Sequence, residues 1–269
     1  MPRVRVGHIA LAYDAEGSGT PVVLIHGFTL DRTLWDEQTA ALLAAGYRVI
    51  RPDLRGHGAS DAPPTGYTPE DHAADLAILF DILSVPSAHI VGLSLGGGVA
   101  ACFAERWPRR TRSLTLIDAI LPGRPFGEEM TAILRELNRR VLAGDLKGAL
   151  HEHWATSRLF HPTRDNPALA ARLYAMNERF SGVPFHDRVA PPAGPSVADR
   201  LSEVKAPALA LVGELDMPDF HAFARAYAEE LPDARLRTIP AAGHLATLDN
   251  PAAVNAALIA FLRDVDADT

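Results

Sequence analysis

The chain reads as an α/β protein built on a mostly parallel sheet of eight strands with helices on both faces. Three observations predict this. Short apolar runs alternate with helix-period stripes along most of the 269 residues. Several of the runs are apolar without a break, as in strands covered on both sides. One of them, Ala88 to Val91, continues through Gly92-Leu93-Ser94-Leu95-Gly96 straight into a helical pattern.

The elements follow in order. Arg3 to Val6 and Ile9 to Tyr13 alternate like a strand pair at a sheet edge, joined by Gly7-His8. Pro21 to Ile25 is continuously apolar, and His26-Gly27-Phe28-Thr29 ends it. Leu34, Trp35, Gln38, Leu42 and Leu43 make a helical stripe closed by Gly46, before a strand at Tyr47 to Ile50. Thr68, with Pro69 at the first helical position and Asp71 three residues on, is a capped helix start. The stripe Leu76, Leu79, Phe80 and Leu83 continues that helix. After the Ala88 strand, Val99, Cys102, Phe103 and Trp107 recur at helical spacing. Further strands are read at Ser113 to Ile117, Ala208 to Val212 and Arg235 to Ile239. Helices are read at Asp219 to Leu231 and, capped by Asn250 and Pro251, at Ala252 to Val265.

One region breaks the alternation. Between Leu121 and Pro195 there are only helical stripes, then a proline-rich stretch with Pro184, Pro191, Pro192 and Gly194 that reads as an extended return to the core. The expected organisation is therefore a core at 1–120 and 196–269 with an all-helical cap at 121–195. No internal repeat is apparent.

Bulk properties narrow the function. The formal net charge is −7, and no basic stripe offers a surface to nucleic acid or to an anionic membrane. The single cysteine, Cys102, excludes an internal disulfide and fits a reducing compartment. Arg3 and Arg5 precede no apolar h-region, and no run approaches the ~20 apolar residues of a membrane span, so a cytoplasmic location is expected. His151 and His153 point to different sides of a helix, which disfavours a metal pair. Gly96-Gly97-Gly98 lacks both G-x-G-x-x-G and the Walker lysine. Neither a metal nor a cofactor is expected. The exposed face of the cap leaves a homodimer open.

The chemistry concentrates after the strands. In a parallel sheet the carboxyl ends of the strands share one rim. Ser94, His26-Gly27-Phe28, Asp118, Asp216 and His244 each follow a strand and should converge there. A serine on a tight strand-to-helix turn stands exposed, with neighbouring amides aimed at one spot. It still needs a base, and the base needs an acceptor that fixes its tautomer. His244, in a glycine-bearing loop after the last strand, is the expected base. Asp216 is the expected acid, giving the order serine, acid, histidine; Asp118 is its rival, with Asp219 and Glu214 behind. The amides of Phe28 and Leu95 would form the oxyanion hole, and His26 would be a structural ring beneath that loop. Phe28, Leu95, Leu121 and Met217, adjacent to the chemical positions, are the expected pocket wall, with Trp154 from the cap.

The motifs together resemble the cap-bearing branch of the α/β-hydrolase superfamily over Val4 to Leu262. The likeness rests on His26-Gly27-Phe28, Asp53-Leu54-Arg55-Gly56-His57-Gly58-Ala59-Ser60, Gly92 to Gly97, Gly213-Glu214-Leu215-Asp216 and Gly243-His244. Asp53 to Ser60 is expected to shape a loop without a chemical role. Within the superfamily, His26 to Asp31 with Trp35 is similar to enol-lactone hydrolases, small esterases and the cofactor-free perhydrolases also called haloperoxidases. Dehalogenases and epoxide hydrolases of this fold place an aspartate where this chain has Ser94. The resemblance implies acyl transfer through Ser94 on a small to medium ester or lactone. Perhydrolysis and carbon-carbon bond hydrolysis are alternatives with the same triad, and a non-catalytic ligand-binding role is the reading outside enzymology.

Overall fold

A computed structural model describes residues 2–187 and 194–268. Strands β1 (Arg3–Val6), β2 (Ile9–Glu16), β3 (Pro21–Ile25), β4 (Arg48–Pro52), β5 (Ala88–Leu93), β6 (Thr111–Ile117), β7 (Ala208–Gly213) and β8 (Ala234–Ile239) form one sheet, in the order β1-β2-β4-β3-β5-β6-β7-β8. The two pairings made by β2 are antiparallel and all others are parallel. This is the α/β-hydrolase fold with the mostly parallel, eight-stranded sheet that the apolar runs predict.

Helices α1 (Asp36–Ala44), α2 (Pro69–Ile82) and α3 (Leu95–Arg106) follow β3, β4 and β5. The α1 helix packs with the terminal helix α9 (Pro251–Ala267), and α2 packs with α3. Every residue of β5 is buried, so both faces of the central sheet are covered. The start of α2 is closed by a reciprocal cap between Thr68 and Asp71, with Pro69 supplying a pre-set φ. Such a cap contributes about 1 kcal/mol.

Between β6 and β7 the described residues hold only helices. These are α4 (Glu128–Leu142), the single turn α5 (Leu146–Gly148) running into a π-helical turn at Ala149–Trp154, and α6 (Pro167–Asn177), followed by short 3-10 turns. In α4 the buried side chains Met130, Leu137 and Val141 recur at helical spacing and face the rest of the molecule. Pro191 and Pro192, read as part of the return to the core, lie outside the described residues. The helical segment is fastened to the core by ion pairs, Arg179 with Asp31 and Arg172 with Glu37, both at 2.5 Å. It also reaches the far end of the chain, where Thr163 Oγ1 donates to Asp249 at 2.6 Å. Helices α7 (Pro218–Glu230) and α8 (Ala246–Asp249) complete the core. No helix among the described residues is long and apolar enough to cross a membrane.

Candidate active site

Strained backbone gathers on one rim. Thr29, Ser94, Asp118 and Ala241 are non-glycine residues with φ of 62°, 54°, 44° and 54°, and each lies within a few residues of the carboxyl end of β3, β5, β6 or β8. Side-chain-bearing residues in this region cost about 1 to 3 kcal/mol each and persist only where the surroundings impose them.

At Ser94 the surroundings can be named. Its amide donates to the Ile117 carbonyl at the end of β6, 3.0 Å away, and its carbonyl accepts from Gly97 and Ile120 at 3.0 and 3.1 Å. A Cβ on Gly92 would overlap the Gly96 carbonyl, so the turn closes only without side chains there. Helix α3 therefore begins immediately after Ser94, and Leu95 occupies its first position. The Leu95 amide is one of the helix-start donors that have no intrahelical partner.

His244 Nδ1 donates to Asp216 Oδ2 at 3.0 Å, and both side chains are almost wholly buried. That bond fixes the tautomer, so Nε2 carries the lone pair a general base needs. The other Asp216 oxygen accepts from the Met217 amide at 2.7 Å. Two aromatic rings pack near the imidazole: Phe220 lies 4.1 Å away between centroids, tilted, and Phe160 6.5 Å, edge-on. Burial pushes the His244 pKa down to about 4. Neither Ser94 Oγ nor His244 Nε2 is hydrogen-bonded, to each other or to another group, among the described residues. Catalytic contacts of this kind commonly tighten only with substrate present.

The rival acids have other partners. Asp118 accepts from the Gly213 amide at 2.7 Å, Glu214 from the Ala241 amide at 2.9 Å, and Asp219 from the Gly127 amide at the start of α4. His26 lies beneath the loop it opens, bonding the Gly27 carbonyl through Nδ1 at 2.8 Å and accepting from the Leu54 amide at Nε2 at 2.9 Å. An added Cβ on Gly27 would sit 3.2 Å from Ser94 Cβ, so this glycine brings the Phe28 loop against the serine. The Phe28 and Leu95 amides make no hydrogen bond among the described residues. Two free donors flanking one serine are what a developing oxyanion requires.

A cavity of about 210 Å³ opens beside them, lined by Phe28, Leu95, His57, Tyr67, His72, Pro184 and Phe185. Burial lowers the pKa of His57 and takes His72 to about 3, while it raises Tyr67 to about 12. All three lining groups are therefore neutral at ordinary pH. Of the expected wall residues, Phe28 and Leu95 line this cavity. Leu121 and Met217 are not among these lining residues and are each 1% exposed. Trp154 stands one layer back, its indole Nε1 donating to Thr29 Oγ1 at 2.8 Å and its ring against Phe28 and Phe160. The turn at Gly182 to His186 supplies Pro184 and Phe185 to the wall, with Phe185 5.4 Å from the Phe28 ring. His57 and His72 were missed; their signal was a histidine in a loop after β4 and another in the first turn of α2.

Other conspicuous features lie elsewhere. A larger depression, about 700 Å³, is lined by Cys102, Glu70, Glu105 and Arg106 and by none of the triad. Burial and Glu70 push the Cys102 thiol up, leaving it protonated and a poor nucleophile. His153 bonds the Ile133 carbonyl and His151 stacks on Tyr174, so the two share no site.

A family model described as the alpha/beta hydrolase fold matches residues 20–251, taking in Ser94, Asp216 and His244 together. The chain belongs to this family. Among solved structures, this α/β-hydrolase is similar to a thermophilic esterase from Thermogutta terrifontis, 33% identical with a TM-score of 0.84 over 98% of this chain and 99% of that one. It is similar to Est816, an N-acyl homoserine lactone degrading enzyme, 31% identical with a TM-score of 0.78 over 97% and 100% of the two chains. It is also similar to a bromoperoxidase from Bacillus anthracis, 25% identical with a TM-score of 0.85 over 97% and 99%. The α/β-hydrolase assignment makes the chain a hydrolase by family, with esterase and lactonase relatives.

Proposed function

We propose that the chain is a serine hydrolase of small, uncharged carboxylic esters or lactones, acting through an acyl-enzyme on Ser94. The observation that carries the reading is the His244–Asp216 hydrogen bond on the same rim as the strained Ser94. His244 Nε2 removes the Ser94 hydroxyl proton as Oγ attacks the substrate carbonyl. Negative charge gathers on the carbonyl oxygen, between the Phe28 and Leu95 amides. His244 then gives its proton to the leaving alkoxide. Water, deprotonated by the same nitrogen, releases the acid and restores the serine. Asp216 stays ionised throughout and stabilises the imidazolium.

The cavity beside Phe28 and Leu95 supports the size and charge of this substrate. Its volume of about 210 Å³ falls below the range of drug-sized ligand sites, and its neutral wall offers no counter-ion to a charged group. The esterase and lactone-degrading relatives support the same substrate class.

Ser94→Ala is expected to cut hydrolysis of a short p-nitrophenyl ester by at least about 10⁴-fold and to abolish fluorophosphonate labelling. Retained turnover would remove Ser94 as the nucleophile. Asp216→Asn is expected to cost about 10³- to 10⁴-fold. A second reading, perhydrolysis, draws on the bromoperoxidase likeness; in it peroxide replaces water in the second step. Peracid formation from acetate and peroxide outpacing ester hydrolysis would favour it.

A further inference from the structure

The cavity beside Phe28 and Leu95 holds a buried polar atom to which the mechanism above gives no task. His57 is 1% exposed, and its Nδ1 lies 2.9 Å from the Arg55 carbonyl. A carbonyl only accepts, so the proton of the neutral ring sits on Nδ1 and Nε2 carries a lone pair. No donor among the described residues reaches that Nε2. The ring is held in place besides, packed on Phe180 at 4.8 Å, His26 at 5.2 Å and Phe28 at 5.9 Å between centroids. It cannot swing away to find a partner. A buried acceptor left unpaired is destabilising, and in a native protein it calls for an explanation.

The rest of the wall narrows what the explanation can be. Tyr67 and His72 share the cavity with His57. The Tyr67 hydroxyl donates to the Pro63 carbonyl at 2.5 Å, so its proton is committed. His72 Nδ1 is a second buried ring nitrogen without a partner. No lining residue is a carboxylate, so a cation would find no counter-charge. What this wall can receive is a small neutral group with a hydrogen to give. A hydroxyl fits, because it can donate to His57 Nε2 and still has lone pairs to offer His72.

The cavity's position relative to the triad says which part of a substrate would carry that hydroxyl. Neither His244 nor the rings beside it, Phe160 and Phe220, lines the cavity. A leaving alkoxide must face His244 to take up its proton. The part that turns toward Phe28 and Leu95 is then the acyl chain.

We propose that His57 is a specificity-determining residue, its Nε2 accepting a hydrogen bond from a hydroxyl on the acyl chain, so that the preferred substrates are esters of short hydroxy acids. The inference rests on the acyl-enzyme reading above and names the acyl group that site would take. No proton is transferred in this contact. Burial keeps the ring neutral and its lone pair available.

The test measures kcat/KM on matched ethyl esters, 2-hydroxybutanoate and 3-hydroxybutanoate, each enantiomer against the analogue with methyl in place of hydroxyl. A third pair, 2-hydroxyethyl butanoate against propyl butanoate, moves the hydroxyl to the alcohol. Wild type should prefer at least one hydroxy-acyl ester by about 10- to 100-fold, because the methyl analogue leaves Nε2 unpaired. The third pair should show no such preference. His57→Phe should bring the ratio to about one, and His57→Gln, which keeps an acceptor, should restore part of it. Each readout is a ratio of two substrates on one protein, so a general loss of activity from altered packing cancels. If neither variant folds, the wild-type ratio for the 3-hydroxy pair decides alone. Equal rates within both acyl pairs, or a ratio unchanged in His57→Phe, would overturn the subsite, and a preference confined to the third pair would overturn its assignment to the acyl chain. In each of those cases hydrolysis that still requires Ser94 leaves the acyl-enzyme reading standing, whereas turnover by Ser94→Ala would remove that reading itself.

Discussion

His244 and His57 are both buried imidazoles in loops that follow strands of one sheet, and burial lowers the proton affinity of both. They differ in what holds Nδ1. In His244 the holder is the Asp216 carboxylate at 3.0 Å; in His57 it is the Arg55 carbonyl at 2.9 Å. A carboxylate stabilises the charged ring that proton transfer creates, whereas a carbonyl fixes the same tautomer with far less to offer the cation. His57 also faces the rings of His26 and His72, whose charges would oppose its own. One histidine is thus equipped to take up a proton for an instant, and the other to remain a neutral wall.

The comparison can be broken most sharply at His244 itself. His244→Ala should reduce kcat by at least about 10⁴-fold, close to the loss from Ser94→Ala, and the double variant should be little worse, because the triad acts as a unit. His57→Phe should cost less than about tenfold in kcat/KM for the smallest ester and alter chain-length preference instead, since one packing group in a pocket is worth about 1 to 3 kcal/mol. A His57 effect as deep as that of His244 would mean the wall histidine takes part in proton transfer.

Between these extremes lies Gly27→Ala. The added methyl must displace Ser94 Cβ, 3.2 Å away, or Leu93 Cδ2, 3.0 Å away. Since losing one oxyanion donor costs about 10²- to 10³-fold, a loss of about 10²-fold in kcat with KM less affected is expected from the displaced Phe28 amide.

The smallest effects are in pH. With the His244 pKa near 4 in place of the ordinary 6.5, the base stays neutral, and the acid limb of kcat/KM should fall below pH 6. Stability carries the same sign. His72 drops from 6.5 to about 3 on folding, so between those values the unfolded chain binds the extra proton, and stability should decline as pH falls through that window. Chemical denaturation at pH 7, 5.5 and 4 would measure it; rising stability toward pH 4 would contradict it.

Much of this arrangement could be read from the residues alone, and the reason is local. Pro21 to Ile25 and Ala88 to Leu93 are apolar in succession because both of their faces are covered, a constraint that each strand records by itself. Ser94 and Gly92 to Gly96 are legible because a turn of that tightness restricts its own five residues. The cavity wall is different in kind. Phe28, the stretch His57 to His72, and Phe185 come from three parts of the chain far apart in sequence, and nothing in any one of them records the other two. Leu121 and Met217 were plausible as neighbours of the chemical positions, yet adjacency in the chain does not fix which way the rim is roofed.

The seam where Thr163 meets Asp249 also braces the loop that carries His244. The His161 carbonyl fills the space that any side chain on Gly243 would need, next door to the His244 imidazole, and Asp249 binds the Gly243 amide while it holds Thr163. Pulling the helical segment away at that point would slacken the very loop that carries His244, the base in the proposed reaction.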